Sequence, residues 1–209
     1  ENPKYLIKEI FSRLNQGAVK LSNQEIRHAI YQGNLDTLLS ELSQIETIRK
    51  FGLGQNSKRE KNSLEDEEQI LRFFALQEDL SNYQDKLNKF LDNYMSENQN
   101  LEEDKIDELR DLFTNSINRV TEVFGDESFI DVNRDRKRQS MVYYDLLMWS
   151  FSQKTDEFVE ANKDKIKQSF KEFCADDELQ KTLSGGLQNK SSILKRRELW
   201  EAKLSEIDD

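Results

Sequence analysis

The residues best suited to chemistry lie near the start of the chain, on both sides of a glycine. Helix packing alone does not require these residue types at this spacing. The residues are Arg13, Asn15, Gly17, Gln24, Glu25 and Arg27. An arginine fork, amide groups and a helix N-terminus around a glycine that allows close backbone approach suit an anion, phosphate in particular. The spacing therefore indicates a candidate phosphate pocket.

A purely structural interpretation accounts for part of the same pattern. Ser22 and Glu25 have the spacing of a capping box, in which the serine bonds forward and the glutamate bonds back to the helix start. In that case Arg27 only ties the turn together. Capping does not account for Arg13, Asn15 and Gln24 as a group, so both interpretations stay open.

No catalytic or metal-binding constellation can be assembled from the remaining residues. His28 is the only histidine and Cys174 the only cysteine, and they belong to different predicted helices. Without paired Cys or His spacing, we expect no metal site and no catalytic residue in this chain. The acidic runs at 65–68 and 102–104 fit helix starts, where carboxylates favour the helix dipole.

The charge of the chain argues against a strong grip on nucleic acid. The formal net charge is −10, whereas phosphate binding normally requires a basic excess. Two local clusters could still contact DNA. They are Arg134, Arg136, Lys137 and Arg138, and, with Lys190 nearby, Lys195, Arg196 and Arg197. The alternative is that both clusters are solvated helix ends.

The elements that must position these residues are helices. Apolar residues recur at helical spacing, one Pro and 7 Gly leave few breaks, and no segment alternates as a strand would. We predict an all-α helical bundle of about eight or nine helices. They include a first helix at about 5–14, a second that stops near Gly33, and a third that Asn34 can cap and whose apolar stripe runs from Leu35 to Ile45. A long helix ends at Gly125, and the last two helices lie around 166–173 and 193–204. Residues 1–51 form a helix-loop-helix signature segment, 52–64 an exposed linker, and 65–209 a helical bundle that is compact with 1–51.

Composition also suggests where the protein works. The sequence contains no apolar run of 18 residues and no signal-peptide pattern, so we expect no membrane partner. A single cysteine fits a reducing compartment, which makes the cytoplasm the default expectation.

The opening segment resembles a known family. The run IFSRLNQGAVKLSNQEIRHAIYQG, residues 10–33, is similar to the second signature of the "domain of unknown function 262" family, the ParB-like module of GmrSD-type modification-dependent restriction systems. Weaker likeness continues at 70–76, 129–133 and 195–197. Ala18 replaces the second glycine of the family loop, and His28 stands where asparagine is usual.

The resemblance implies that the chain is the C-terminal helical part of a larger α/β-plus-helical protein. The family's Asp-Gly-Gln-Gln-Arg motif, associated with nucleotide hydrolysis and with DNA cleavage or its control, belongs to an upstream ParB-like core and is not in this sequence. We therefore expect an N-terminal ParB-like domain as partner, with a nucleoside triphosphate, Mg²⁺ and DNA as ligands of the full-length protein.

Two functional expectations follow. In the first, this chain is inactive by itself and contributes Arg13, Asn15, Gly17, Gln24, Glu25 and Arg27 to a pocket completed by the missing domain. In the second, it is a helical protein-protein or interdomain interaction module without a catalytic role, and the signature segment is the seam between domains.

Overall fold

A computed structural model describes residues 21–53, 64–77 and 80–208 of the 209-residue chain. Within these ranges the fold is all-α, as the periodicity predicts, with ten helices and no strand; Ile130 and Gln139 form one isolated β-bridge. The helices are α1 (Asn23–Ile30), α2 (Asn34–Leu42), α3 (Glu46–Arg49), α4 (Glu65–Gln77), α5 (Leu87–Asn98), α6 (Glu103–Phe124), α7 (Met141–Phe151), α8 (Asp156–Cys174), α9 (Asp177–Thr182) and α10 (Lys190–Asp208).

The start of α1 confirms the predicted capping box. The Ser22 hydroxyl accepts from the Glu25 backbone N–H at 3.1 Å, and the Glu25 carboxylate accepts from the Ser22 N–H at 2.7 Å. The backbone N–H groups of Ser22 and Glu25, which have no acceptor within the helix, thereby bond to local side chains. The predicted helix at 5–14 lies outside the described residues.

Gly33 has a different role from the one its position suggests. The sequence predicts that Gly33 ends α1 and that Asn34 caps α2. In the structure α1 ends at Ile30 with Tyr31 as its C-cap, and Gly33 itself is the N-cap of α2. A Cβ at Gly33 would lie 2.2 Å from the Gln99 carbonyl oxygen. The glycine therefore serves a close backbone approach, and the Asn34 side chain instead donates to the Leu101 carbonyl at 3.0 Å.

Two short helices were not predicted. The apolar stripe of α2 stops at Leu42, and Ile45 becomes the N-cap of the four-residue α3. The six-residue α9, capped by Asp176, occupies part of the interval between the last two predicted helices. Elements this short carry too little periodicity to be recognised in a sequence. The predicted stop at Gly125 is confirmed, with a φ of +53° after α6.

The chain divides into two compact units. Among the described residues, unit 1 comprises 21–53, 64–75 and 88–110, and unit 2 comprises 76–77, 80–87 and 111–208. Within unit 1, α1 and α2 bond to α4: Arg27 pairs with Glu68, and Ser40 donates to Glu67. Most of the predicted exposed linker at 52–64 lies outside the described residues, so its place in the domain organisation stays a prediction.

Unit 1 is organised around the apolar faces of its helices. The fully buried side chains that share this core include Leu35, Leu38 and Leu39 of α2, Ile70, Leu71 and Phe73 of α4, and Leu91 and Met95 of α5. Burying each such side chain stabilises the fold by about 1.5–3 kcal/mol relative to exposure, so this core is what holds the polar groups of the unit in place.

Unit 2 has an aromatic core. Phe170 packs edge-on against Trp200, with ring centroids 5.5 Å apart, and against Phe124 at 5.1 Å. The Trp200 Nε1–H donates to the Ser150 hydroxyl at 3.1 Å, which satisfies the one polar atom of that buried ring. Helix α10 packs on α7, α8 and α9 in this unit.

Hydropathy along the helices bears on membrane insertion. In the part of the chain that the structure describes, no helix combines the length and apolar character that a membrane span requires.

Candidate functional site

The structure covers half of the signature residues. Gln24, Glu25 and Arg27 lie on α1, whereas Arg13, Asn15 and Gly17 lie outside the described residues. Glu25 is engaged in the capping box. The other two described residues, Gln24 and Arg27, are buried, with 1% and no measurable exposure respectively.

Arg27 is surrounded by acceptors from two other helices. Its Nε–H donates to Asp92 of α5 at 2.9 Å, and Nη1 donates to Glu68 of α4 at 2.7 Å. Nη1 also donates to Gln24 at 3.2 Å, and Nη2 donates to both the carbonyl and the side-chain oxygens of Asn88 at 3.3 Å. These five bonds engage all five N–H groups of the guanidinium.

This geometry makes Arg27 a tie between helices. Burial lowers the pKa of Arg27, and the adjacent Glu68 carboxylate opposes that shift. A guanidinium whose donors are all taken has none left to offer a phosphate. In the described structure, Arg27 therefore ties α1 to α4 and α5. Its remaining side-chain partner, Gln24, lies on α1 itself.

A second polar cluster lies beside it, on the next residue of α1. The His28 Nδ1 atom is 3.0 Å from both carboxylate oxygens of Asp36 on α2, and 3.9 Å from Glu67 Oε2 on α4. Burial raises the pKa of Asp36, partly offset by His28. Burial likewise raises the pKa of Glu67, opposed by the hydrogen bond from Ser40.

Sequence reasoning missed this convergence. The acidic run 65–68 is predicted to start a helix, and it does begin α4. Yet two of its carboxylates face α1 in order, Glu68 toward Arg27 and Glu67 toward His28. The sequence signal that could have revealed these contacts is the adjacent pair Arg27 and His28 on one helix, together with the adjacent carboxylates Glu67 and Glu68 on another.

The first basic cluster lies in the segment between the bridge partners Ile130 and Gln139. Arg134, Arg136, Lys137 and Arg138 are all exposed. Arg134 pairs with Asp131 at 3.0 Å and Lys137 with Glu127 at 3.4 Å. These four side chains remain accessible to a polyanion, and whether they contact DNA stays a prediction.

The second basic cluster is used inside unit 2. Arg196 is 3% exposed and donates to the carbonyls of Thr182 and Leu187 at 3.3 and 2.5 Å. Arg197 lies 4.4 Å from the ring centre of Trp149, and burial lowers its pKa to about 10. Arg196 is therefore occupied inside the unit, Arg197 is half-buried against Trp149, and the Lys195 side chain, paired with Glu198, is 40% exposed. Whether this cluster contacts DNA stays a prediction.

Unit 2 also contains an open cleft of about 430 Å³. Its polar lining is Glu127, Lys137, Asp164, Lys167, Gln168 and Lys171, over an apolar floor that includes Phe124 and Phe170. Glu127 forms ion pairs with Lys167 and Lys137, and both lysines lower the pKa of its carboxyl. The lysines are thus partly neutralised within the cleft.

Comparison with known proteins adds no assignment. The chain matches no protein-family model, no curated protein and no solved structure. The resemblance of residues 10–33 to the ParB-like family therefore stays a prediction that rests on those residues alone.

Proposed function

We propose that this chain is the helical, non-catalytic part of a ParB-like, GmrSD-type defence protein. In this proposal an upstream ParB-like domain carries nucleoside triphosphate hydrolysis, DNA cleavage or both. The chain contributes signature residues to that domain's pocket. The proposal is supported by the density of the signature match over residues 10–33.

The single structural observation that refines the proposal is that the N–H donors of the Arg27 guanidinium already have acceptors within the chain. Because its five N–H groups bond to Gln24, Glu68, Asn88 and Asp92, the second half of the signature serves to anchor the segment to the helical unit. Contact with nucleotide phosphates then falls to Arg13, Asn15 and Gly17. The two halves of one signature have separate roles in this proposal.

The experiment compares two arginine variants in the full-length protein. Arg13→Ala should weaken binding of a fluorescent ATP or GTP analogue at least tenfold, with an unchanged melting temperature, because a charge-assisted phosphate contact is lost. Arg27→Ala should lower the melting temperature and leave the affinity of the folded protein within about twofold. Normal nucleotide binding by Arg13→Ala would refute the pocket proposal.

The second candidate is an interaction module that docks the upstream domain without contributing to its pocket. It is favoured by the fact that Gln24, Glu25 and Arg27 all bond within the chain itself. The double variant Arg13→Ala/Asn15→Ala should then make the full-length protein separate into two fragments under limited proteolysis. Nucleotide affinity would stay with the upstream fragment, whereas the first candidate predicts that the affinity is lost.

A further inference from the structure

Three helices of unit 1 direct one potential ligand each to a common point. His28 comes from α1, Asp36 from α2 and Glu67 from α4, and their ligand atoms all lie within 4.8 Å of one another. Asp36 and Glu67 are 6% and 5% exposed, whereas the His28 side chain is 43% exposed. The cluster is thus closed by protein on the carboxylate side and open to solvent at the imidazole.

We propose that His28 Nδ1, Asp36 and Glu67 bind a single divalent transition-metal ion. The ion lies between the imidazole and the two carboxylates and joins α1, α2 and α4. This site is independent of the signature pocket, since none of its three ligands belongs to the predicted pocket set.

The separations between the ligand atoms suit such an ion. Ligands at about 2.1 Å from a tetrahedral zinc ion stand roughly 3.4 Å from one another. Nδ1 of His28 lies 3.0 Å from the Asp36 oxygens and 3.9 Å from Glu67 Oε2, so the observed distances fall on either side of that value. Small side-chain rotations would bring all three within bonding distance.

A buried carboxylate oxygen without a hydrogen bond supports the proposal. Glu67 Oε2 is buried and, within the described ranges, accepts no hydrogen bond. A buried carboxylate oxygen left in this state is costly, and native proteins normally satisfy such atoms. Because the atom points toward His28, a cation in the cluster would satisfy it.

The local charge also favours a divalent ion. Once ionised, as metal binding requires, Asp36 and Glu67 carry two negative charges, whereas His28 can supply at most one positive charge. The neighbouring Arg27 is already shared by Glu68 and Asp92. A divalent cation bound through a neutral imidazole balances the two carboxylates, which a protonated histidine cannot do.

The second Glu67 oxygen is already oriented for this role. Ser40 Oγ donates to Glu67 Oε1 at 2.5 Å, which holds the carboxylate with Oε2 toward the cluster. Partners of this kind commonly fix ligand orientation in metal sites. Ser40 is therefore a positioning residue.

The ligand set defines the class of metal. One imidazole and two carboxylates suit Zn²⁺, Mn²⁺ or Fe²⁺, whereas Mg²⁺ and Ca²⁺ prefer oxygen ligands alone. Three protein ligands leave at least one coordination position for water, on the side where His28 is exposed. We expect Zn²⁺ to bind most tightly among these ions.

The test is a titration of the chelator-treated 209-residue chain with Zn²⁺, followed by calorimetry and by NMR of the imidazole. His28 is the only histidine, so its ring signals need no assignment. We expect one Zn²⁺ per chain, a shift of the His28 ring nitrogens, and broadening of the ring protons by Mn²⁺. A tenfold excess of Mg²⁺ should not displace Zn²⁺.

Substitutions distinguish Zn²⁺ binding at this site from Zn²⁺ binding at other carboxylates of the chain. Glu67→Gln and Asp36→Asn should each weaken Zn²⁺ binding at least tenfold, and Ser40→Ala about tenfold. Glu46→Gln, an exposed carboxylate of the same unit paired with Lys50, should bind as the parent does.

Several results would overturn the proposal. They are the absence of one-to-one binding, an unchanged His28 spectrum, and wild-type affinity in Glu67→Gln. Glu67→Gln keeps the side-chain shape and removes a buried charge, so it should remain folded by circular dichroism even if Asp36→Asn does not. None of these results depends on whether the full-length protein binds a nucleotide.

Discussion

Replacement of Arg27 by alanine tests the most specific claim about the opening segment, that its arginine holds three helices together. The variant removes five hydrogen bonds at once. It also leaves two carboxylates without their cation: Asp92, whose side chain is 14% exposed, and Glu68, at 37%.

The expected cost follows from that burial. Removing one partner of a buried ion pair costs about 3–5 kcal/mol, because the remaining charge stays uncompensated. Glu68 can turn toward water, so the lower end applies, about 3 kcal/mol for Arg27→Ala. Arg27→Lys keeps the charge but cannot form the forked contacts, and should lose about half as much.

The assay must report on unit 1. Trp149 and Trp200 both lie in unit 2, so tryptophan fluorescence does not follow the unit that contains Arg27. Urea unfolding by far-ultraviolet circular dichroism gives the total loss of free energy. Amide hydrogen exchange in α1 and α4 shows where the stability is lost. A loss of about 3 kcal/mol accelerates exchange of the slowest amides in these helices about a hundredfold.

Arg110 supplies the matched control. It also pairs with two carboxylates of unit 1, Glu41 and Asp107, but its side chain is 34% exposed. Arg110→Ala should cost about 0.5 kcal/mol, as exposed pairs do. If Arg27→Ala costs no more than this control, Arg27 does not tie the helices, and its availability for a ligand must be reconsidered.

Three further outcomes can be measured on the same chain. Gly33→Ala should destabilise by about 2 kcal/mol in urea, because its Cβ meets a backbone carbonyl at 2.2 Å, whereas Gly185→Ala, with nothing within 4 Å, should be neutral. Arg197→Ala should change the emission of Trp149 and cost about 1–2 kcal/mol, with partial recovery in Arg197→Lys. Burial raises the pKa of the Cys174 thiol from 9.0 to about 12, so a disulfide reagent at pH 8 should label the native protein about a thousandfold more slowly than the unfolded chain. Since the folded pKa is the higher one, the stabilising contribution of the neutral thiol is full below pH 9 and is lost as the pH rises toward 12. Rapid labelling of the native protein at pH 8 would contradict this burial.

The helices could be predicted because their signals are local. The capping box needs only residues three apart, the stripe of α2 needs one helical face, and Gly125 ends α6 through its own backbone. The fold class follows from the same periodicity. The single-turn helix α3 was missed because four residues carry no such period.

The polar sites could not be predicted in this way, because their partners are distant in sequence. Arg27 meets Glu68 and Asp92 across 41 and 65 residues, and only helix packing decides whether an arginine faces water or two carboxylates. The same holds for Arg196, which is buried although its sequence neighbours suggested a basic surface.

The sequence by itself determined that this protein is helical, that a capping box starts α1 and that Gly125 ends α6, and that residues 10–33 carry an unusual polar pattern. Tertiary structure alone decided what α1 does with that pattern. Packing of α1, α2, α4 and α5 turned one arginine into an internal tie and placed the adjacent His28 against two buried carboxylates. The physical reason is that burial and charge compensation depend on which faces meet, and no local spacing records that choice.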